Sequence, residues 1–155
     1  FTRGIEGFER LTGRHPSSFG APAWLIDDRV LLIIRTLGFV YLSCTRAHEP
    51  FIHSEANLVE IPSDLPCFEE TSLHEGEGKI LSTLKKGGIH VLPLHAEVEG
   101  GSLSEHFLRL IQKVQKLDYQ IMPLRDIHAV LDLGNLTVRR FRLQLLPGRS
   151  VPCAV

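Results

Sequence analysis

Residues 87–102 read GGIHVLPLHAEVEGGS: two glycines, an apolar run over 89–94, a histidine among carboxylates, then two more glycines. Only His90 interrupts the run, the pattern of a strand covered on both faces. A helical pattern over 77–86 leads into it and is closed by Gly87 and Gly88. A second follows, where Ser102 and Glu105 have the spacing of a capping box, and Phe107, Leu110, Ile111, Val114 and Leu117 share one face. A buried strand between two helices argues for parallel strands joined by crossover helices, in a barrel or an open sheet.

The alternation extends both ways. Downstream, residues 119–122 are expected as a strand and 124–131 as a helix. Upstream, 58–61 reads as a strand stopped by Pro62, and 39–42 as a buried strand followed by a long polar loop. A helix over 29–37 is capped by Asp27 or Asp28 and ended by Gly38. Residues 18–21 form a strand that runs through an Ala-Pro-Ala turn to Trp24. Phe1, Ile5, Phe8 and Leu11 give a first helix one apolar stripe, with Gly13 as its stop. No N-cap precedes Phe1 and no methionine opens the chain, so the sequence is expected to begin inside a longer product. One α/β domain with mainly parallel strands is expected over residues 1–131. Residues 132–155, a mixture of Arg and Leu, are left as a C-terminal tail.

Composition narrows the function classes. Of 155 residues 43% are apolar and 23% charged, proportions of a globular chain that can bury a core. The formal charge of -1 offers no basic field for nucleic acid. The longest apolar run, 30–34, falls far short of the roughly 20 residues of a membrane helix. Three cysteines, an odd number without CxxC spacing, argue against a disulfide framework and for a reducing compartment. No Cys/His pair has the local spacing of a zinc site, so no metal residue is assigned.

The segment from His95 to Gly100 is the strongest chemical candidate, because side chains at the C-terminal end of such a strand lie where α/β folds build their sites. A carboxylate near an imidazole fixes its tautomer for proton transfer, and His95 stands beside two, Glu97 and Glu99. The plain alternative is a loop histidine with solvated glutamates. Trp24, at the end of another strand, could stack on a sugar ring or simply pack as a lid. His48, His53 and His74 lie near glutamates in loops and read as exposed pairs. His106 and His128 read as helix-surface or satisfied groups, His90 as structural, and His15 has no evident partner.

Several blocks in order then resemble a known family. They are Phe19-Gly20-Ala21-Pro22-Ala23-Trp24, Leu37-Gly38-Phe39-Val40-Tyr41, Ser43-Cys44-Thr45-Arg46-Ala47 with Pro50-Phe51, and Ile61-Pro62 with Leu65-Pro66. With Leu94-His95-Ala96-Glu97-Val98-Glu99-Gly100, they look like the C-terminal half of a polysaccharide-deacetylase-type (β/α) barrel. The last block resembles in particular the deformylases of formamido-arabinose on undecaprenyl phosphate. The resemblance implies amide hydrolysis on an amino sugar or undecaprenyl-linked sugar, in the cytoplasm or at the inner-membrane surface. It also implies a divalent metal, zinc in the complete enzyme, held by one Asp and two His of the other half. No cofactor is therefore expected on this chain alone, and this chain alone is expected to be inactive. His95 falls on the late histidine that protonates the leaving amine, Glu97 shares its pocket, and Trp24 and Arg46 are taken as substrate-binding. The chain departs from the family at Gly20, where many relatives have Arg, and at Cys44, where deformylases have Asp. A catalytically dead relative that binds a glycan is the competing reading. An open barrel edge would call for a covering chain.

Overall fold

The computed structural model describes residues 1–155. Helix α1 (Thr2–Thr12) ends at Gly13, whose φ of 69° is the left-handed conformation that closes helices. Strand β1 (Ser18–Phe19) leads through a tight turn, Pro22–Trp24, to α2 (Asp28–Arg35). The Asp27 carboxylate caps α2 by accepting the Val30 N–H at 2.9 Å. Strands β2 (Tyr41–Leu42), β3 (Phe51–His53) and β4 (Val59–Glu60) follow, then α3 (Leu73–Leu84), α4 (Ser104–Gln115) and α5 (Leu124–Val130). Three short strands end the chain: β5 (Val138–Arg139), β6 (Leu143–Gln144) and β7 (Cys153–Ala154).

The main sheet has the order β1-β2-β4-β3-β5. Pairs β1/β2, β2/β4 and β3/β5 are parallel and β3/β4 is antiparallel, so the expected α/β architecture with mainly parallel strands is present. Strands β6 and β7 form a separate antiparallel ribbon. The apolar core lies beneath α2, where Leu31, Ile34 and Leu42 are buried, and between α3 and α4, where Ile80, Leu84 and Leu110 meet.

Several local expectations are corrected. Residues 89–94 and 119–122 are not ladder strands. The first stretch lies beside the chain after β4, but Pro93 has no N–H, and Asp64 takes the Val91 N–H and the His90 ring at 2.8 and 2.6 Å. One backbone bond remains, from the Leu65 N–H to the Val91 carbonyl at 3.3 Å, and the Asp64 side chain stands in for the rest of a ladder. The capping box does not form, because Ser102 belongs to a wide turn, Val98–Ser102, and α4 starts after Leu103 without a side-chain cap. The polar loop after β2 contains β3, and residues 132–155 are woven into the fold. There Arg140 pairs with Asp28 and Glu55, and the Arg139 guanidinium lies over the Phe51 ring.

His53 is also corrected, from an exposed loop group to a core residue 1% exposed. Its Nε2 meets Glu60 Oε2 at 2.9 Å, while Glu60 Oε1 accepts from Cys44 N, Thr45 N and Thr45 Oγ1 at 2.6, 2.8 and 3.0 Å. This network ties β2, β3 and β4 together just past the end of β2. His15 also finds partners in the fold, Glu9 and the Leu37 carbonyl, both at 2.8 Å. Glu60→Ala is expected to cost about 3–5 kcal/mol, since it strips several buried donors of their acceptor. Urea unfolding measures this, and a loss below about 1 kcal/mol would show the network to be dispensable.

Candidate functional site

Strands β1, β2 and β4 point the same way, and the chain leaving each enters one cleft of about 580 Å³. The stretch from Gly20 to Trp24 follows β1, Ser43 follows β2, and Ser63, Cys67, Glu69 and Glu70 follow β4. Residues 93–95 close one side and Arg149 another. Converging strand ends of this kind are where parallel α/β sheets carry their chemistry.

His95 is at the mouth, about half exposed. Its Nδ1 meets Glu69 Oε1 at 3.0 Å, and its backbone N–H donates to Glu99 Oε2 at 2.6 Å. The carboxylate on the imidazole is thus Glu69, delivered by the turn Phe68–Glu70. Glu97 is exposed and does not line the cleft, whereas Glu99 is 3% exposed. The wide turn separates them: Val98 and Glu99 both donate their N–H to the His95 carbonyl, which folds Glu99 back beneath the histidine.

Trp24 lines the cleft, half-buried, in an unusual backbone state. It and Ala23 have φ of 54° and 56°, a region that costs non-glycine residues about 1–3 kcal/mol each. Two guanidiniums hold the strained turn. Arg46 and Arg149 lie over the indole at 4.7 and 4.9 Å from a ring centroid, and Arg149 Nη2 donates to the Ala23 carbonyl at 3.2 Å. Both arginines bond Glu70, one to each carboxylate oxygen at 3.1 Å. Arg46 stays behind the indole rather than lining the cleft. Gly148 lets the last loop approach, since a Cβ there would lie 2.6 Å from the Glu70 carbonyl oxygen.

Sequence reasoning missed Glu69, Glu70, Glu99 and Arg149. Glu99 was within the recognised block, and the turn that hides Glu97 from the cleft was not foreseen. Arg149 carried no signal at all. Cys44 is fully buried, and burial, then the charge of Glu60, pushes its thiol well above the usual range. It therefore cannot stand in for an aspartate.

The implied set of one Asp and two His does not fit this chain. The converging group of possible metal ligands is Glu69, His95 and Glu99, with atoms within 4.8 Å of one another.

Comparison with known proteins agrees with this architecture. A protein from Shewanella sediminis assigned as a 4-deoxy-4-formamido-L-arabinose-phosphoundecaprenol deformylase, ArnD, is 24% identical over 81% of this chain and 43% of its own length. The crystal structure of a protein from Mycobacterium smegmatis assigned to the polysaccharide deacetylases superposes with a TM-score of 0.71 at 22% identity, covering 94% of this chain and 59% of that one. A scan against protein-family models found no match. The chain spans about half the length of these proteins. It is similar in sequence to the Shewanella protein and has the corresponding part of the fold of the Mycobacterium protein.

Two outcomes follow from the geometry. Arg149→Ala should leave Trp24, the single tryptophan, more exposed, with red-shifted emission, stronger acrylamide quenching and a stability loss of about 1–3 kcal/mol. An unchanged spectrum would remove Arg149 from the cleft wall. The thiols should be inert in the folded protein. Burial, then Glu70, pushes Cys67 up to about 11, and Cys44 and Cys153 are raised mainly by burial. The thiolate that reacts is then scarce at about pH 8. Iodoacetamide should label all three only after unfolding, and rapid native labelling of Cys44 or Cys67 would contradict the structure.

Proposed function

We propose that the chain is part of a hydrolase that cleaves the amide C–N bond of an N-formyl or N-acetyl amino sugar, with His95 as proton donor to the departing amine. The observation that carries this reading is the His95–Glu69 pair, 3.0 Å apart, at the mouth of a cleft built from three parallel strand ends. As the tetrahedral adduct collapses, the C–N bonding pair returns to nitrogen and takes a proton from the imidazolium. The products are a free amino sugar and formate or acetate. Glu69 orients the ring during the transfer. Glu97 enters the proposal only as an exposed carboxylate two residues from His95, outside the cleft lining.

Trp24 offers the apolar surface on which a sugar ring packs, and Arg46 acts through it by holding the indole against Glu70. Residues 132–155 complete the wall through Arg149. A divalent metal, zinc by the resemblance, is part of the proposal for the whole protein. None of the steps assigned to this chain runs through it. The name of the Shewanella protein supports an undecaprenyl-linked sugar as substrate; a cytoplasmic place, at the inner-membrane surface, is part of the same proposal. No helix is long and apolar enough to cross a membrane. Strand β1 is a sheet edge, with Leu11 of α1 and Leu32 of α2 exposed nearby in sequence, and we assign its covering to another chain segment or a second chain.

A second reading, a catalytically dead relative that binds the same sugar, is favoured by the burial of Cys44 where the resemblance expects an acid. Kinetics of the natural polypeptide carrying these residues separate the two. His95→Ala should lower turnover on an N-formyl or N-acetyl amino sugar by at least about tenfold, a modest loss for a positioned proton donor. Turnover equal to wild type would make His95 structural. An inactive wild type that still binds the sugar would establish the second reading.

A further inference from the structure

We propose that Glu69, His95 and Glu99 form a binding site for one divalent cation, zinc or a neighbouring first-row transition ion. One imidazole nitrogen and two carboxylate oxygens make a donor set suited to such ions. Their ligand atoms already lie within 4.8 Å of one another. Sequence reading assigned no metal residue because Glu69 comes from another loop, and only the fold brings it to His95.

Glu99 supplies an independent observation. It is 3% exposed, and its Oε1 has no hydrogen-bond partner, while Oε2 accepts the His95 backbone N–H. A buried carboxylate oxygen without a donor is costly to keep. A cation bound by Glu99 through that oxygen would satisfy it and offset the repulsion between two carboxylates.

The site is part rigid and part free. Glu99 is fixed from below by the His95 N–H, whereas the side chains of His95 and Glu69 are 46% and 45% exposed and can close on an ion. Ligands at about 2.0–2.1 Å around a tetrahedral zinc lie about 3.3 Å apart. His95 Nδ1 and Glu69 Oε1 are already 3.0 Å apart, and the other separations, none above 4.8 Å, would close by at most about 1.5 Å. The two side chains that would have to move are both half exposed. Both of them line the cleft, which leaves the remaining coordination position open to water or a small ligand.

Cation binding can be measured without any assay of turnover, and it stands or falls independently of the catalytic reading.

The test is calorimetric titration of the 155-residue chain with zinc chloride after treatment with a chelator. One ion per chain is expected, with a dissociation constant in the micromolar range or below. Glu99→Gln and His95→Ala should each weaken binding at least tenfold. Glu69→Gln alters a half-exposed side chain and so tests the same site without disturbing the interior. X-ray absorption of the zinc-loaded chain should show only nitrogen and oxygen neighbours, including one imidazole. The absence of a stoichiometric site would overturn the proposal. So would binding that Glu69→Gln and Glu99→Gln leave unchanged, or a spectrum with sulfur ligands.

Discussion

The carboxylate of Glu60 is wholly buried and holds Cys44 N, Thr45 N, Thr45 Oγ1 and His53 Nε2 at once. Taking such a group out of water costs several kcal/mol unless donors surround it. Here they do, and two of them are backbone N–H groups just past β2 that the sheet no longer pairs. His53 Nδ1 has no partner, which fits a ring that donates through Nε2 and keeps a bare acceptor inside, a lesser cost than an unpaired N–H. Because the network fixes residues 44 and 45, it also fixes the direction in which Ser43 and Arg46 leave the sheet. The floor of the cleft depends on a carboxylate outside the cleft.

Glu70 repeats the arrangement one layer higher. Its two oxygens take Arg46 and Arg149, and Oε2 also accepts the Cys67 N–H at 3.1 Å. One arginine comes from the end of β2 and the other from the last loop, so a single side chain joins distant parts of the sequence. The two guanidiniums then hold Trp24 in a backbone state it would not adopt alone. Strain of this kind persists only where the surroundings over-determine it.

What the sequence could reveal follows from how local each signal was. The Asp27 cap, the Gly13 stop and the apolar face of α4 depend on neighbouring residues and appear as read, whereas Phe1, Phe8 and Leu11 of the first helix stay exposed. The ordered blocks from Phe19 to Gly100 carried the architecture and led to His95. The signals failed where a side chain from elsewhere replaced a local rule. Asp64 took the Val91 N–H and dissolved an expected strand, and Glu69 rather than Glu97 met the imidazole. Residues 132–155 were opaque for the same reason. Arg139, Arg140 and Arg149 act through Phe51, Asp28 and Glu70, and no local pattern announces such partners.

Glu69 and Glu70 are adjacent in one turn yet have different surroundings. Glu70 is nearly enclosed and saturated by two cations, so it is rigid, while Glu69 is half exposed and bound only to a half-exposed histidine. A proton donor needs both properties together. Its scaffold must keep it within hydrogen-bond reach of the substrate, and its own ring must still adjust as the reacting nitrogen changes shape. Placing the stiff and the soft carboxylate in consecutive positions couples them through one short turn. Arg149 fixes the Glu70 side of the turn from which Glu69 projects to His95.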